Sequence, residues 1–274
     1  MYCEKIDLYK YFGLERTGGE QGYLNVYLPE APDYPNRVRP TMLVIGGGGY
    51  AYVSSREKEC IALAYITQGF AAFTLEYSVA PVRFPAQLIE GAMAMVYIRE
   101  NAAKLGVKPD KIAAIGFSAG GHLTGMLATL FDRAEVKNAL KEKAALVRPD
   151  AVVLSYPVIT SGEKAHRGSF DNLCGSDNTK LQAELSLETC VTATSSPVFI
   201  WATVNDGSVP SENSLFMALA YKAAGVPFEL HIFENGAHGL SLATEETGSI
   251  NEPVQKWLSL SVTWLKNRGF ILSD

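Results

Sequence analysis

Short apolar runs alternate with longer stretches of helical period along the chain. GYLNVYLP (from Gly22), TMLVIG (Thr41), FAAFTLE (Phe70), KIAAIGF (Lys111), DAVVLSYP (Asp150), PVFIWATV (Pro197) and PFELHIF (Pro227) read as strands. Several have no polar face, as strands do when helices cover both sides of a parallel sheet. Helical patterns fill the intervals over residues 55–68, 85–105, 210–224 and 253–267, with a further one opening at Ser118. The segment that begins at Pro210 stops at Gly225, matching the usual start and stop residues of a helix. This alternation over 274 residues predicts an α/β fold with a mostly parallel central sheet, built as a single domain over 1–274. One stretch breaks the rhythm. Residues 158–196 are polar and weakly periodic, and their length predicts a cap-like insertion over the functional site.

Composition narrows the partners. The formal charge is −5 with no basic run, which argues against nucleic acid and anionic membranes. The opening residues MYCEKIDLYK lack the basic start and apolar stretch of a secretory signal. No run approaches the roughly 18 apolar residues of a membrane helix. Cys3, Cys60, Cys174 and Cys190 are widely spaced, as idle thiols in a reducing cytoplasm would be. A cytoplasmic location is expected, with no metal and no cofactor. The oligomeric state stays open, a homo-oligomer included.

Chemistry concentrates at strand ends. Gly116-Phe117-Ser118-Ala119-Gly120 fits Gly-x-Ser-x-Gly, follows the apolar run Ile112 to Ile115 and precedes a helical pattern. A strand that turns abruptly into a helix exposes the serine above the sheet, making Ser118 the candidate nucleophile. An ordinary glycine-rich turn is the plainer alternative. Gly46 to Gly49 follow TMLVI, and the N–H groups of Gly48 and Gly49, with that of Ala119, form a candidate oxyanion hole. The loop also satisfies the dinucleotide fingerprint as Gly46-x-Gly48-x-x-Ala51, with Glu76 where a ribose-binding acid sits. That reading requires a helix to open at the loop, yet helical character resumes only near Ser55. It also leaves the serine, aspartate and histidine signals unexplained.

Four histidines are present: His122, His166, His231 and His238. His231 alternates within a strand, and His122, one turn after Ser118, suits a buried hydrogen-bonded role. His238 lies in a glycine-punctuated loop after the last strand, where a parallel sheet delivers residues to its carboxyl edge. It is the candidate general base. Asp206 follows PVFIWATV and completes the chain order Ser, Asp, His, although a turn-capping role would also place an aspartate there.

These residues resemble the esterase/lipase branch of the α/β-hydrolases. Gly-Gly-Gly-Gly-Tyr50, Tyr77-Ser-Val-Ala-Pro81, Phe84-Pro-Ala and Gly-Phe-Ser-Ala-Gly-Gly-His122 are spaced as in hormone-sensitive-lipase-like esterases. The chain is more similar still to bacterial acetyl-xylan esterase and sugar-ester hydrolase proteins. They share a Ser-x-Arg-Glu segment (Ser54 to Glu57), an insertion with His-Arg-Gly-Ser-Phe (His166 to Phe170), Asp-x-x-Val-Pro and Gly-x-His-Gly. The resemblance implies an α/β-hydrolase fold and hydrolysis of short acyl esters, acetyl foremost, of sugars or xylo-oligosaccharides. Tyr50, beside the glycine loop, and His166 and Arg167, in an insertion whose polar groups suit hydroxyl-rich ligands, become candidate substrate contacts. Gly46 stands where many relatives carry His or Pro, so this loop needs support from elsewhere. A general short-chain carboxylesterase, a small peptidase and a non-catalytic ligand binder are the competing functions.

Overall fold

The computed structural model describes residues 1–30 and 36–273. Its strands are β1 (Tyr2–Asp7), β2 (Tyr23–Leu28), β3 (Arg39–Ile45), β4 (Ala71–Glu76), β5 (Val107–Phe117), β6 (Ala151–Ser155), β7 (Val198–Thr203) and β8 (Phe228–Phe233). They pair in the order β1-β2-β4-β3-β5-β6-β7-β8. The β1–β2 and β2–β4 pairings are antiparallel, and every pairing from β4 to β8 is parallel. The helices are α1 (Leu8–Phe12), α2 (Glu59–Ile66), α3 (Ala86–Glu100), α4 (Ala102–Leu105) and α5 (Ala119–Thr129). There follow α6 (Ala134–Leu140), α7 (Arg167–Cys174), α8 (Thr179–Glu184), α9 (Glu212–Ala224) and α10 (Glu252–Lys266). This is the α/β-hydrolase arrangement.

Side chains alternate across a strand, so a run with no polar face must be covered twice. Leu43, Ile45, Phe73, Ala114 and Leu154 pack with α3, α5 and α9 on one face. Met42, Val44, Ile115, Val153 and Trp201 pack with α2 and α10 on the other. Each predicted strand is present. The edge strand β1 was not anticipated, because its residues are largely exposed and carry no burial period. The 85–105 pattern splits at Asn101 into α3 and α4, and the 55–68 pattern begins with a 3-10 turn at Ser55–Glu57 before α2.

The 158–196 segment is more ordered than its polarity suggests. It folds as α7, α8 and a 3-10 turn at Leu187–Thr189, and it buries Phe170, Leu173, Leu185 and Leu187. One- and two-turn helices are too short to build a visible period. The four cysteines are free, and burial pushes the Cys174 thiol up to about 12. Among the described residues, no helix is long and apolar enough to cross a membrane.

A buried carboxyl on α3 ties the N-terminal segment to the body. Glu90 accepts hydrogen bonds from the Ser78 N–H at 2.6 Å, the Ser78 hydroxyl and the Tyr9 hydroxyl at 3.2 Å. Burial outweighs these donors and pushes its pKa up from 4.5 to about 7. The fold therefore prefers the protonated acid. Its contribution is fully present below the unfolded value, near 4.5, and is lost as pH rises through the folded value, near 7. Over that window the stability is expected to fall by on the order of 3 kcal/mol. Denaturant unfolding at pH 5 and pH 8 (buffers of equal ionic strength) checks this. Glu90→Gln should flatten the difference, and an equal slope in both proteins would refute the assignment.

Candidate active site

The carboxyl ends of β3, β5, β7 and β8 all open on the same edge of the sheet, and each carries one of the sequence candidates. Ser118 follows β5 and caps α5 with φ 53° and ψ −119°, a left-handed conformation strained for a residue with a side chain. Its backbone is held on both sides: Ser118 N–H donates to Ser155 O at 3.0 Å, and Ser118 O accepts from Val158 N–H and His122 N–H at 3.1 Å. Glycine is required beside it on steric grounds. A Cβ on Gly116 would lie 2.1 Å from Gly120 O, and one on Gly120 would lie 2.3 Å from Ile45 O.

Asp206 and His238 come from the adjacent strands β7 and β8. Those two loops are stitched together by Thr203 Oγ1 donating to Gly236 O at 2.7 Å and Gly236 N–H donating to Asn205 Oδ1 at 2.7 Å. His238 Nε2 lies 2.8 Å from Ser118 Oγ, and His238 Nδ1 lies 2.7 Å from Asp206 Oδ2. The Asp206 side chain is 0% exposed and the His238 side chain 22%. Asp206 Oδ1 accepts from the N–H groups of Ser208 at 2.8 Å and Val209 at 2.9 Å. With both its oxygens engaged, the carboxylate has a fixed direction. An imidazole that donates Nδ1–H to it keeps Nε2 free to accept the serine proton.

Ser118 and His238 line a cavity of about 310 Å³ with Gly48, Gly49, Tyr52, Ser54, Arg56, His166, Asn172 and Ser208. Among the described residues, no acceptor in the protein engages the N–H of Gly48 or Gly49. Ala119 opens α5, where the first N–H groups have no partner within the helix. The support that Gly46 lacks in its own side chain comes from three directions. Tyr77 Oη donates to Gly46 O at 2.8 Å, Ser54 N–H donates to Gly47 O at 2.9 Å, and Gly47 N–H donates to Glu57 Oε2 at 2.8 Å.

The remaining candidates separate. His166 lines the cavity, with Nδ1 2.8 Å from Ser169 Oγ, and burial holds its pKa below the usual histidine value. Tyr50 and Arg167 do not line this cavity. The Tyr50 side chain is 1% exposed, and its hydroxyl meets His122 Nδ1 at 2.9 Å, away from the cavity. Arg167 instead clamps its own segment, donating to the carbonyl oxygens of Ser161 at 2.7 Å and of Gly162. His122 Nε2 lies 2.8 Å from Leu185 O, and burial lowers the ring to about 4. The dinucleotide reading of the glycine loop also fails. A 3-10 turn follows the loop and α2 starts only at Glu59, while Glu76 is bonded to Lys5 at 2.6 Å.

Ser208 is an addition that the sequence did not single out; Asn172 stood among the polar residues of the insertion and Glu57 in the Ser-x-Arg-Glu segment, without a stated place in the site. Asn172 donates to Gly49 O at 2.9 Å and so ties the insertion to the glycine loop. Its polarity was visible, but its direction depends on the turns of α7.

A glycine loop, a strained serine and a histidine–carboxylate pair at the carboxyl edge of this sheet define an α/β hydrolase. The chain belongs to the BD-FAE family, whose model matches residues 24–220. It is similar to endo-1,4-beta-xylanase B of Butyrivibrio fibrisolvens, with 40% identity over 76% of this chain and 33% of that protein. Similarity to an acetylxylan esterase of Xylanibacter ruminicola is 27% over 86% of this chain and 47% of that one. The chain thus spans less than half the length of these two curated relatives. The solved acetyl ester-xyloside bifunctional hydrolase from Caldicellulosiruptor lactoaceticus matches over 98% of this chain and 97% of that one, with 36% identity and a TM-score of 0.86. Of these three, the acetylxylan esterase and the acetyl ester-xyloside hydrolase are named for hydrolysis of esters.

Proposed function

We propose that the protein is a serine carboxylesterase that removes short acyl groups, acetyl foremost, from sugars or xylo-oligosaccharides. The observation that carries this is the unbroken hydrogen-bonded run from Ser118 Oγ through His238 to Asp206, with steps of 2.8 and 2.7 Å, opening on a cavity of about 310 Å³. Ser118 attacks the ester carbonyl while His238 takes its proton, and the oxyanion is met by N–H groups of Gly48, Gly49 and Ala119. His238 then returns the proton to the departing sugar hydroxyl. Water attacks the acyl-enzyme with His238 again as base, releasing the acid.

Two features favour a small acyl group on a hydroxyl-rich alcohol. The cavity lining contains no Leu, Ile, Val or Phe. A longer chain therefore gains little of the roughly 0.8 kcal/mol available for each methylene buried in an apolar site. The lining also includes Asn172, Ser208 and Ser54, whose side chains carry hydrogen-bonding atoms that suit hydroxyls. The names of the xylan-related relatives point the same way.

The test is acetate release from acetylated xylo-oligosaccharides, alongside p-nitrophenyl acetate, butyrate and octanoate. The expected order of kcat/KM is acetate over butyrate over octanoate, with acetate freed from the sugars. Octanoate preference, or no release from the oligosaccharides, would overturn the substrate class.

A further inference from the structure

We infer that Glu57 and Tyr156 are positioning residues that lock the glycine loop, the nucleophile and the His238 loop into one geometry, an inference that rests on the esterase reading above. Glu57 is 3% exposed and has no cationic partner among its hydrogen bonds. Its Oε2 accepts from Gly47 N–H at 2.8 Å, and its Oε1 accepts from Tyr156 Oη at 2.7 Å. The same phenol oxygen accepts from Ser241 N–H at 2.9 Å, three residues beyond His238. One buried carboxylate and one phenol therefore join segments that follow β3, β6 and β8.

Each end of this brace abuts a reacting group. Gly47 sits so close to the nucleophile that a Cβ on it would lie 2.6 Å from Phe117 O and 2.9 Å from Ser118 Cβ. Displacing Gly47 therefore shifts Gly48 and Gly49 relative to Ser118. At the other end the Tyr156 ring packs edge-on against the His238 imidazole, with centroids 5.0 Å apart at 67°. Tyr156 and Ser241 both hold positive φ, 37° and 53°, as Ser118 does at 53°. Strained backbone of this kind persists only where surrounding bonds over-determine it, and the brace supplies such bonds at two of the three positions. Ser241 is tied further by Trp257 Nε1 donating to its carbonyl at 2.9 Å.

Oxyanion donors act by being fixed before charge develops. The brace thus affects the transition state and leaves ground-state binding nearly unchanged. The experiment compares Glu57→Ala, Glu57→Gln and Tyr156→Phe with wild type and Ser118→Ala, using p-nitrophenyl acetate and an alkylboronic acid that forms a tetrahedral adduct on serine. Glu57→Ala is expected to lower kcat about 100-fold with KM nearly unchanged, and to weaken the boronate in parallel with kcat/KM. Glu57→Gln keeps a carbonyl for Gly47 N–H but turns its NH₂ toward Tyr156 Oη, whose own O–H proton then loses its acceptor, so it should recover only part of that loss. Tyr156→Phe keeps the ring against His238 and should lower kcat about tenfold, within the range of one misplaced group.

Thermal unfolding of every variant shows that the rates belong to folded protein. Should Glu57→Ala not fold, Glu57→Gln and Tyr156→Phe carry the comparison. Wild-type kcat in folded Glu57→Ala and Tyr156→Phe, or an effect on KM alone, would overturn the brace. Turnover surviving in Ser118→Ala would instead overturn the esterase mechanism, so the two failures are distinguishable.

Discussion

Replacing Ser118 by alanine is expected to lower ester turnover by about 10⁴- to 10⁶-fold, the range seen when a hydrolase loses its nucleophile. The change removes the one oxygen within 2.8 Å of His238 Nε2 and disturbs little else. The imidazole nitrogen it exposes faces the cavity, where water can bond to it, so no buried polar atom is orphaned. Stability should therefore stay close to wild type. Ser118→Gly separates catalysis from strain. At φ 53° a glycine is relaxed where serine and alanine are not. That variant should be equally inactive yet more stable than Ser118→Ala by about 1 kcal/mol or more. Initial rates with p-nitrophenyl acetate and a denaturant midpoint for each protein check both halves. Turnover that outlives the hydroxyl would end the acyl-enzyme mechanism.

The catalytic candidates were legible because each belongs to a strand end, and strand ends leave local signals. Ser118, Asp206 and His238 each follow an apolar run and sit among glycine or turn residues, and the fold brings those ends to one edge. Glu57 and Tyr156 left no such signal. Glu57 stood out only through the resemblance, as the last residue of the Ser-x-Arg-Glu segment, and nothing local shows that it is buried against Gly47 and Tyr156. Tyr156 continues the apolar run of β6, so nothing local shows that its hydroxyl meets a carboxylate 99 positions away. Tyr50 and Arg167 differ in the opposite sense: both were candidates, and neither lines the cavity. Their position beside the glycine loop and in the insertion was right, but a side chain's direction is set by its neighbours. His122 captures the Tyr50 hydroxyl and two carbonyl groups capture the Arg167 guanidinium.

The second large effect is expected from Asp206→Asn, where one atom changes and two roles come apart. Asp206 Oδ1 accepts from Ser208 and Val209 N–H groups, while Oδ2 faces His238 Nδ1. An asparagine must place its oxygen at one site and its NH₂ at the other. Turning the NH₂ toward the two backbone donors leaves both N–H groups without an acceptor, at about 1–3 kcal/mol for each buried group. The oxygen therefore stays with Ser208 and Val209, and the NH₂ faces His238 Nδ1. Nδ1 must then accept, which moves the imidazole proton to Nε2, where it points at Ser118 Oγ and cannot receive the serine proton. The expected result is a loss of about 10⁴-fold in kcat with the fold intact, as a wrong tautomer produces in other serine hydrolases. Asp206→Ala should be less stable than Asp206→Asn, because it orphans both backbone donors. Nitrogen NMR of the His238 ring distinguishes the tautomers directly. An asparagine variant with near-wild-type kcat and Nδ1 still protonated would show that Ser118 and His238 work as a pair and that Asp206 serves only to shape the turn.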